Sequence, residues 1–443
     1  MKIQYKLAKD TIFYGSSDFA TKLLALMAFP LIANFLTPES FGELELILTT
    51  VALIGVIVNF GINNSVQRYY WEDLSKPDER IEIVTSGLTL LIFSTSTSIV
   101  IMILILLNLS TFLNSFDTSF SEVALVGALF VMGFSQLTQY FLDLTRLQFS
   151  PWKFFLLALT SRTIAIWLGV IGVCILNLGV DGLILGQCIA LCIGTIIGLK
   201  LTEIDINFRQ VSITRIKQLV NYGYPFIFAG LSYWLFTSMD RWMLMSLGST
   251  HEVGIYSIGV RFASIVMFIS IAFGQAWSPL AMKIRSDFPD DYRKIYGDIL
   301  LSVFLIMMLF GGMIAVSSQQ IINFFMPEEF SESAKVLAIL ALSVVVLSTQ
   351  QVTAIGISIE RRTLIFAWVS WFVTGVNFGL NLLWIPKFGV LGAAWSTLIS
   401  HLLLTLIYMF FTQRLHPIEI NKFRMLFLIF IFTCISIFVN WIL

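Results

Sequence analysis

Charged residues are scarce in this sequence. Only 12% of its 443 residues are Asp, Glu, Lys or Arg, whereas soluble domains carry about 25%. Hydrophobic residues make up 57% of the chain, and 40 residues are phenylalanine. A soluble fold of this length could not cover so much apolar surface with so few polar groups. The composition therefore excludes an ordinary soluble protein and indicates a chain that is embedded in lipid.

The sequence also has few cysteines and no nucleotide-binding motif. The four cysteines lie inside apolar runs and away from the histidines, which indicates packing residues rather than disulfides or a metal site. No glycine-rich loop ends in Lys-Ser or Lys-Thr, so no ATPase is built into the chain. No loop is long enough to hold a catalytic domain. We expect no enzyme activity, no cofactor, no metal and no nucleic-acid partner.

Long apolar runs fill almost the whole chain. A membrane-spanning helix needs roughly 20 mostly apolar residues, and about thirteen runs satisfy this requirement. We therefore predict an all-α polytopic membrane protein with two tight hairpins, at 177–180 and 385–388. The predicted spans are 12–36, 44–62, 83–107, 122–142, 154–176, 181–199, 219–247, 255–277, 298–316, 334–357, 363–384, 389–411 and 423–441.

The basic residues alternate along the links between these spans. If the N-terminus is cytoplasmic, all but six of the 27 Lys and Arg residues fall in cytoplasmic segments, as the positive-inside rule requires. An odd number of spans then leaves the C-terminus outside. The six exceptions are Lys22, Arg162, Arg241, Arg261, Lys335 and Lys387.

A weak internal repeat divides the chain into two lobes. Tyr-Gly pairs open the spans that begin near 12 and 219, and Gly42 and Gly254 each end the link that follows. Six spans separate the two units, so both start from the same side of the membrane, and transporters of this build bind substrate between their lobes. We predict an N-terminal lobe at 1–201, a cytoplasmic linker at 202–218, a C-terminal lobe at 219–411 and an extra C-terminal helix at 412–443.

Four of the six exceptional basic residues lie inside predicted spans. An ion in a bilayer is costly and usually faces a wet cavity or a partner. We therefore predict that Lys22, Arg162, Arg241 and Arg261 line a cationic cavity that binds substrate. The alternatives are a self-neutralising pair of Asp18 with Lys22 and an interfacial anchor at Arg241. The acidic residues within spans are taken to be Asp18 and Asp240 alone.

Uncharged polar residues also recur within the spans. One helix face carries Gln136, Gln139, Tyr140 and Asp143, and another carries Asn377 and Asn381, while His401 lies in the middle of a later span. We predict that these residues line the cavity or couple transport to an ion, with Asp18 as a further candidate. Hydrogen bonding between helices is the structural alternative.

Three groups of short motifs resemble one family. The first group is 36–42, 59–61 and 68–70; the second is 222–225, 239–241, 253–256 and Arg261; the third is 362–363, 377–381, 385–386 and 388–394. In this order and spacing they resemble the Wzx-type O-antigen and polysaccharide flippases of the multidrug/oligosaccharidyl-lipid/polysaccharide exporter superfamily. Family members have mostly twelve or fourteen helices, so thirteen departs from the pattern.

The resemblance implies a flippase of the inner, cytoplasmic membrane. Its substrate would be an undecaprenyl-diphosphate-linked oligosaccharide that moves from the cytoplasmic to the outer leaflet by alternating access, for O-antigen, lipopolysaccharide, capsule or exopolysaccharide synthesis. The implied partners are this lipid-linked substrate, membrane lipid, a coupling ion (H⁺ or Na⁺) and the polysaccharide polymerase machinery.

Two other functions compete with this interpretation. A cation-coupled multidrug antiporter of the same superfamily would need an acidic cavity, which the excess of basic residues within the spans disfavours. A membrane-embedded glycosyltransferase or polymerase usually needs a large extramembrane loop or a catalytic acidic cluster, and the longest outer links, 108–121 and 317–333, carry neither.

Overall fold

The computed structural model describes residues 21, 24–25, 27–70, 77–113, 120–202, 206–362 and 364–442. Helices dominate these residues, and none of them lies in a strand. The α-helices, numbered in chain order, are α1 Pro38–Asn59, α2 Ile62–Tyr69, α3 Pro77–Leu113, α4 Glu122–Leu147, α5 Pro151–Val170, α6 Gly179–Leu201, α7 Ile213–Gly223, α8 Pro225–Leu247, α9 Thr250–Asp287, α10 Tyr292–Val316, α11 Ser318–Phe325, α12 Ser333–Ser348, α13 Gln350–Thr353, α14 Ile355–Ile359, α15 Leu364–Phe388, α16 Val390–Leu415 and α17 Lys422–Ile442.

Eleven helical segments in the described part of the chain are long and apolar enough to cross a membrane. Each of them coincides with one of the predicted spans, so the predicted all-α polytopic membrane fold is confirmed. The predicted span 12–36 lies mostly outside the described residues. The predicted span 219–247 is built from two helices, α7 and α8, of which α8 alone has 23 residues.

Proline sets the beginning of four helices. Pro38, Pro77, Pro151 and Pro225 are each the first residue of a helix. At that position the N–H that proline lacks would have had no partner in the helix. Pro225 thus explains why the run 219–247 is divided between two helices instead of forming one.

Two tight turns join neighbouring helices near the predicted positions. Gly179 and Gly389 both have a φ of 55°, a left-handed conformation that glycine adopts at little cost. Gly179 begins α6, and Gly389 separates α15 from α16. The second turn is shorter than the predicted link 385–388, because Pro386 remains within the last turn of α15. Proline there costs α15 one backbone hydrogen bond, yet the helix continues to Phe388 and the turn falls at Gly389.

The chain divides into two compact units, which are described separately. The first unit comprises Met1–Leu36 and Leu46–Trp234, and the second comprises Thr37–Glu45 and Leu235–Leu443. In the first unit α6 packs against α4 and α5; in the second, α12 is almost wholly buried among α9, α10 and α16. The predicted lobe boundaries stay a prediction, because a division by contacts does not test an internal repeat.

Within the second unit, the two glycines of the predicted repeat pack against each other's helices. A Cβ on Gly42 would lie 1.9 Å from the carbonyl oxygen of Thr250, and a Cβ on Gly254 would lie 1.9 Å from that of Pro38. The absence of a side chain at both positions therefore lets the first turns of α1 and α9 touch through their backbones.

This contact makes both glycines sensitive to substitution. Gly42→Ala and Gly254→Ala should each lower the free energy of unfolding by about 1–3 kcal/mol, because backbone atoms have to move apart to admit the methyl group. Gly375→Ala in α15 is the matched control, since nothing lies within 4 Å of a Cβ at that position. Thermal unfolding of the purified protein in detergent measures the difference, and equal melting temperatures for all three variants would contradict the packing argument.

Candidate functional site

A buried carboxylate in the second unit binds two arginines from different helices. Glu45 of α1 accepts hydrogen bonds at Oε1 from Nε of Arg261 in α9 (3.0 Å) and from its Nη2. Glu45 Oε2 lies 3.3 Å from Nε of Arg241 in α8. One carboxylate therefore partly compensates two guanidinium groups, and the cluster of Glu45, Arg241 and Arg261 has a net charge of +1.

The two arginines of this cluster differ in exposure. The side chain of Arg241 is only 10% exposed and has further contacts with the carbonyl of Thr237 (3.0 Å) and the hydroxyl of Ser257 (3.3 Å). The side chain of Arg261 is 34% exposed. Arg261 is thus the more exposed of the two side chains, whereas Arg241 is enclosed by protein.

A second buried carboxylate lies beside this cluster in sequence but has neutral partners. Asp240 Oδ1 accepts a hydrogen bond from Nδ2 of Asn381 (2.6 Å), and Oδ2 accepts from the hydroxyls of Tyr256 (2.7 Å) and Thr397 (2.9 Å). The same Asn381 Nδ2 donates to Oδ1 of Asn377 (3.1 Å). The predicted asparagine stripe of α15 therefore converges on Asp240, which is 5% exposed.

Glu45 corrects the expectation that Asp18 and Asp240 are the acidic residues within spans. The predicted span began at 44, which would put Glu45 at a helix end. Helix α1 begins at Pro38 instead, so Glu45 lies about two turns inside it. Within the described part of the second unit, Glu45 and Asp240 balance Arg241 and Arg261. An excess of basic residues therefore no longer argues against an acidic, cation-binding function.

In the first unit, amide side chains and one carboxylate form a hydrogen-bonded row. Asn59 Nδ2 donates to Oε1 of Gln136 (2.8 Å) and to Oδ1 of Asn63 (3.3 Å). Asn63 and Gln139 each donate to a different oxygen of Asp143, both at 2.9 Å. The three predicted residues of α4 thus belong to one network, which we call the amide row: Asn59, Asn63, Gln136, Gln139 and Asp143.

Tyr140 was predicted to lie on the same polar face, but it is not part of the amide row. Its ring is buried, and its hydroxyl donates to the backbone carbonyl of Val84 (2.7 Å). A buried phenol needs such a partner, and the bond to α3 supplies it. Tyr140 therefore fastens α4 to α3 within the first unit.

The remaining predicted residues are less informative. Nη1 of Arg162 in α5 donates to the hydroxyl of Thr21 (3.0 Å) within the first unit. Lys22 and Asp18 lie outside the described residues. His401 is buried in α16, with Nδ1 3.1 Å from the hydroxyl of Ser343 and its ring 5.5 Å from that of Phe236. These contacts favour a packing role for His401.

Several polar residues of these networks are absent from the sequence-based site. Asn59 and Asn63 are four residues apart, but α1 ends at Asn59 and α2 begins at Ile62, so the spacing of neighbours on one helix face does not apply to them. Tyr256 stood in one of the family motifs, but nothing there marked it as a partner of Asp240, because a tyrosine hydroxyl finds its partner through helix packing. Thr397 gave no signal, because threonine hydroxyls in apolar helices usually bond to their own backbone. Thr405, for example, donates to the carbonyl of His401 one turn earlier.

The fold is similar to those of solved transporters. The inward closed conformation of the lipid II flippase MurJ has a TM-score of 0.70 at 16% identity, covering 97% of this chain and 98% of that chain. The inward-facing conformation of a multidrug resistance MATE family transporter of the MOP superfamily gives 0.72 at 15% identity, over 89% and 94%. A MOP superfamily transporter from Pyrococcus furiosus with a binding pocket of reverse polarity gives 0.60 at 12%, over 93% and 94%. At these identities the likeness concerns the fold alone.

Family models add a likeness in sequence. The model of the MatE family matches residues 225–383, and no curated protein matches the sequence. The model described as "Polysaccharide biosynthesis protein" matches residues 7–285, which is more than half of the chain. The resemblance drawn from the sequence motifs is thus confirmed, and the chain belongs to the polysaccharide biosynthesis protein family.

Proposed function

We propose that this protein is a flippase that moves an undecaprenyl-diphosphate-linked oligosaccharide from the cytoplasmic to the outer leaflet by alternating access. The comparisons support a flippase or transporter of the MOP superfamily, and the lipid-linked substrate is our extension of that result. Polysaccharide synthesis, including that of O-antigen, would consume the product, which makes the polymerase machinery a partner. The coupling ion would be H⁺ or Na⁺.

The observation that carries this proposal is the exposure of Arg261. A guanidinium donates paired hydrogen bonds in a plane that matches phosphate oxygens. Glu45 orients the Arg261 side chain through two of its nitrogens, while about a third of that side chain stays exposed. Arg261 is the most exposed of the four charged side chains, whereas the carboxylates of Glu45 and Asp240 are buried. An exposed guanidinium favours an anionic headgroup over an organic cation. Arg241 then has a positioning role, because it neutralises Glu45 without being exposed itself.

The first unit holds the other proposed cations. Arg162 is half-buried in α5, within a span that contains no acidic residue. We assign Arg162 to the diphosphate as well, with Lys22 assisting it. A guanidinium at this depth in a span suits a phosphate, to which it donates paired hydrogen bonds.

Variants of Arg261 and Arg162 should therefore lower transport per folded molecule, whatever their effect on abundance. Replacing either with alanine should cost about 2–3 kcal/mol of substrate affinity, or roughly 30–150-fold, because a charge-assisted contact in a dry site is lost. Lysine keeps the charge but not the planar fork, so Arg→Lys should be intermediate. The measurement is transport of the lipid-linked sugar per folded molecule, with membrane abundance determined in parallel.

Two further variants serve as controls for these effects. Arg414→Ala removes an exposed arginine at the end of α16 and should change neither quantity. Arg241→Ala leaves Glu45 partly uncompensated in the protein interior, so it should reduce abundance first. Near-normal specific transport by all four variants at Arg162 and Arg261 would refute the cationic-site mechanism.

The orientation is a second part of the proposal. We place the N-terminus in the cytoplasm and the protein in the inner membrane, on the basis of the loop charges. In a variant without its four cysteines, Gln320→Cys in α11 should react with a membrane-impermeant maleimide in intact cells. Ser286→Cys near the end of α9 should react only after the membrane is permeabilised. Both side chains are exposed, so a reversed pattern would mean a reversed orientation.

A cation-coupled multidrug antiporter is the second candidate function. The match to the MatE model and the buried carboxylate of Asp240 with its neutral donors favour it. The two functions are separated by the phenotype of a deletion strain. Accumulation of lipid-linked sugars on the cytoplasmic side supports the flippase, whereas unchanged sugar lipids with increased sensitivity to organic cations would support the antiporter.

A further inference from the structure

The amide row in the first unit has polar atoms that its own hydrogen bonds do not use. Among the described residues, no hydrogen bond reaches Oδ1 of Asn59, Nε2 of Gln136 or Oε1 of Gln139, whereas the other ends of these amides are engaged. The internal bonds fix the amide orientations. They leave acceptors and a donor in a defined arrangement.

The row also lies where lipid cannot be its surroundings. Gln136, Gln139 and Asp143 belong to the span Glu122–Leu147, yet Gln139 is exposed and the other two are partly exposed. An amide that faces hydrocarbon has no hydrogen-bond partner there, which costs several kcal/mol per group. The open face of the row must therefore meet water or a polar ligand.

The charge of the row selects the kind of ligand. Four of its five members are neutral amides and the fifth is the carboxylate of Asp143, which lies 3.5 Å from Arg146 at the end of the helix. The five side chains of the row include no guanidinium or ammonium group, so they themselves offer a phosphate no charged donor. Amides offer donors and acceptors together, and this mixture matches hydroxyl groups, which also donate and accept.

A glycine on the neighbouring helix fits this arrangement. A Cβ on Gly55 of α1 would lie 2.7 Å from Nε2 of Gln136, so the amide occupies the space that a side chain would have taken. The position of Gln136 is thus determined by α1 as well as by its bond to Asn59. A row held on two sides is preorganised for a ligand, which lowers the cost of binding.

We infer that the amide row is a sugar-binding subsite, at which Asn59, Gln136 and Gln139 bind hydroxyl or acetamido groups of the oligosaccharide. This inference rests on the proposed function, because it assigns the carbohydrate part of the same substrate. It concerns the first unit by itself and does not involve the arginines of the second unit.

Binding of two lipid probes to the purified protein tests the assignment. The probes are undecaprenyl diphosphate without sugar and undecaprenyl diphosphate bearing N-acetylglucosamine. Gln136→Leu and Gln139→Leu should each weaken binding of the sugar-bearing lipid about tenfold, as expected for a hydrogen bond lost in a site of low dielectric. Binding of the sugar-free lipid should stay within about twofold. Gly55→Ala should act in the same direction, since it displaces Gln136 without changing the composition of the row.

Two controls separate the possible failures. Gln187→Leu in α6 makes the same chemical change to a partly buried glutamine outside the row and should alter neither affinity. Arg261→Ala should weaken both probes equally. If the variants of the row bind both lipids like the wild type, or lose both equally, the sugar subsite is wrong while the flippase proposal stands. If the wild type binds neither lipid, the proposed function itself fails.

Discussion

The ion pairs of Glu45 with Arg261 and Arg241 are the interaction that holds α1, α8 and α9 together in the second unit. A charge in a bilayer core needs a partner or water, and Glu45 meets this need with Arg261 and Arg241 together. The pairing with Arg261 requires the first turns of α1 and α9 to approach closely, because Glu45 follows Gly42 by three residues and Arg261 follows Gly254 by seven. The backbone contact at these glycines provides that approach. The close approach at Gly42 and Gly254 and the ion pair of Glu45 with Arg261 thus both join α1 to α9.

Helix α8 presents two different polar environments from adjacent residues. Successive residues on an α-helix are rotated by about 100°, so Asp240 and Arg241 project toward different neighbours. Asp240 meets neutral donors from α9, α15 and α16, whereas Arg241 meets the carboxylate of α1. The single helix therefore connects an ion-pair cluster to an amide and hydroxyl cluster within the second unit. Arg241, which pairs with Glu45, directly follows Asp240 in the chain. A ligand or ion that changed the charge at Asp240 would therefore act next to this ion pair.

Hydropathy and loop charge were sufficient for the fold class, because lipid imposes long apolar helices on any chain that crosses it. They were insufficient for the site, where the outcome depended on where individual helices begin. A start at Pro38 instead of 44 changes Glu45 from a terminal residue into a buried one. Asn377 and Asn381 were recognisable because amides in an apolar helix are rare and share a face. Tyr256 and Thr397 were not, since only the packing of three helices brings their hydroxyls to Asp240.

The proposed diphosphate site at Arg261 and the amide row differ in chemistry, and the difference has a consequence for specificity. An arginine that binds a diphosphate recognises a group common to every lipid of this class, so it contributes affinity without distinguishing sugars. A row of amides behaves in the opposite way. A sugar that lacks a hydroxyl leaves an amide unpaired once the bound lipid has covered the row, and such a mismatch costs far more than a missing apolar contact. Under the proposed function, the amide row of the first unit is therefore where a change of a single side chain would alter the choice of oligosaccharide. Changes at Arg261 would instead weaken all substrates alike.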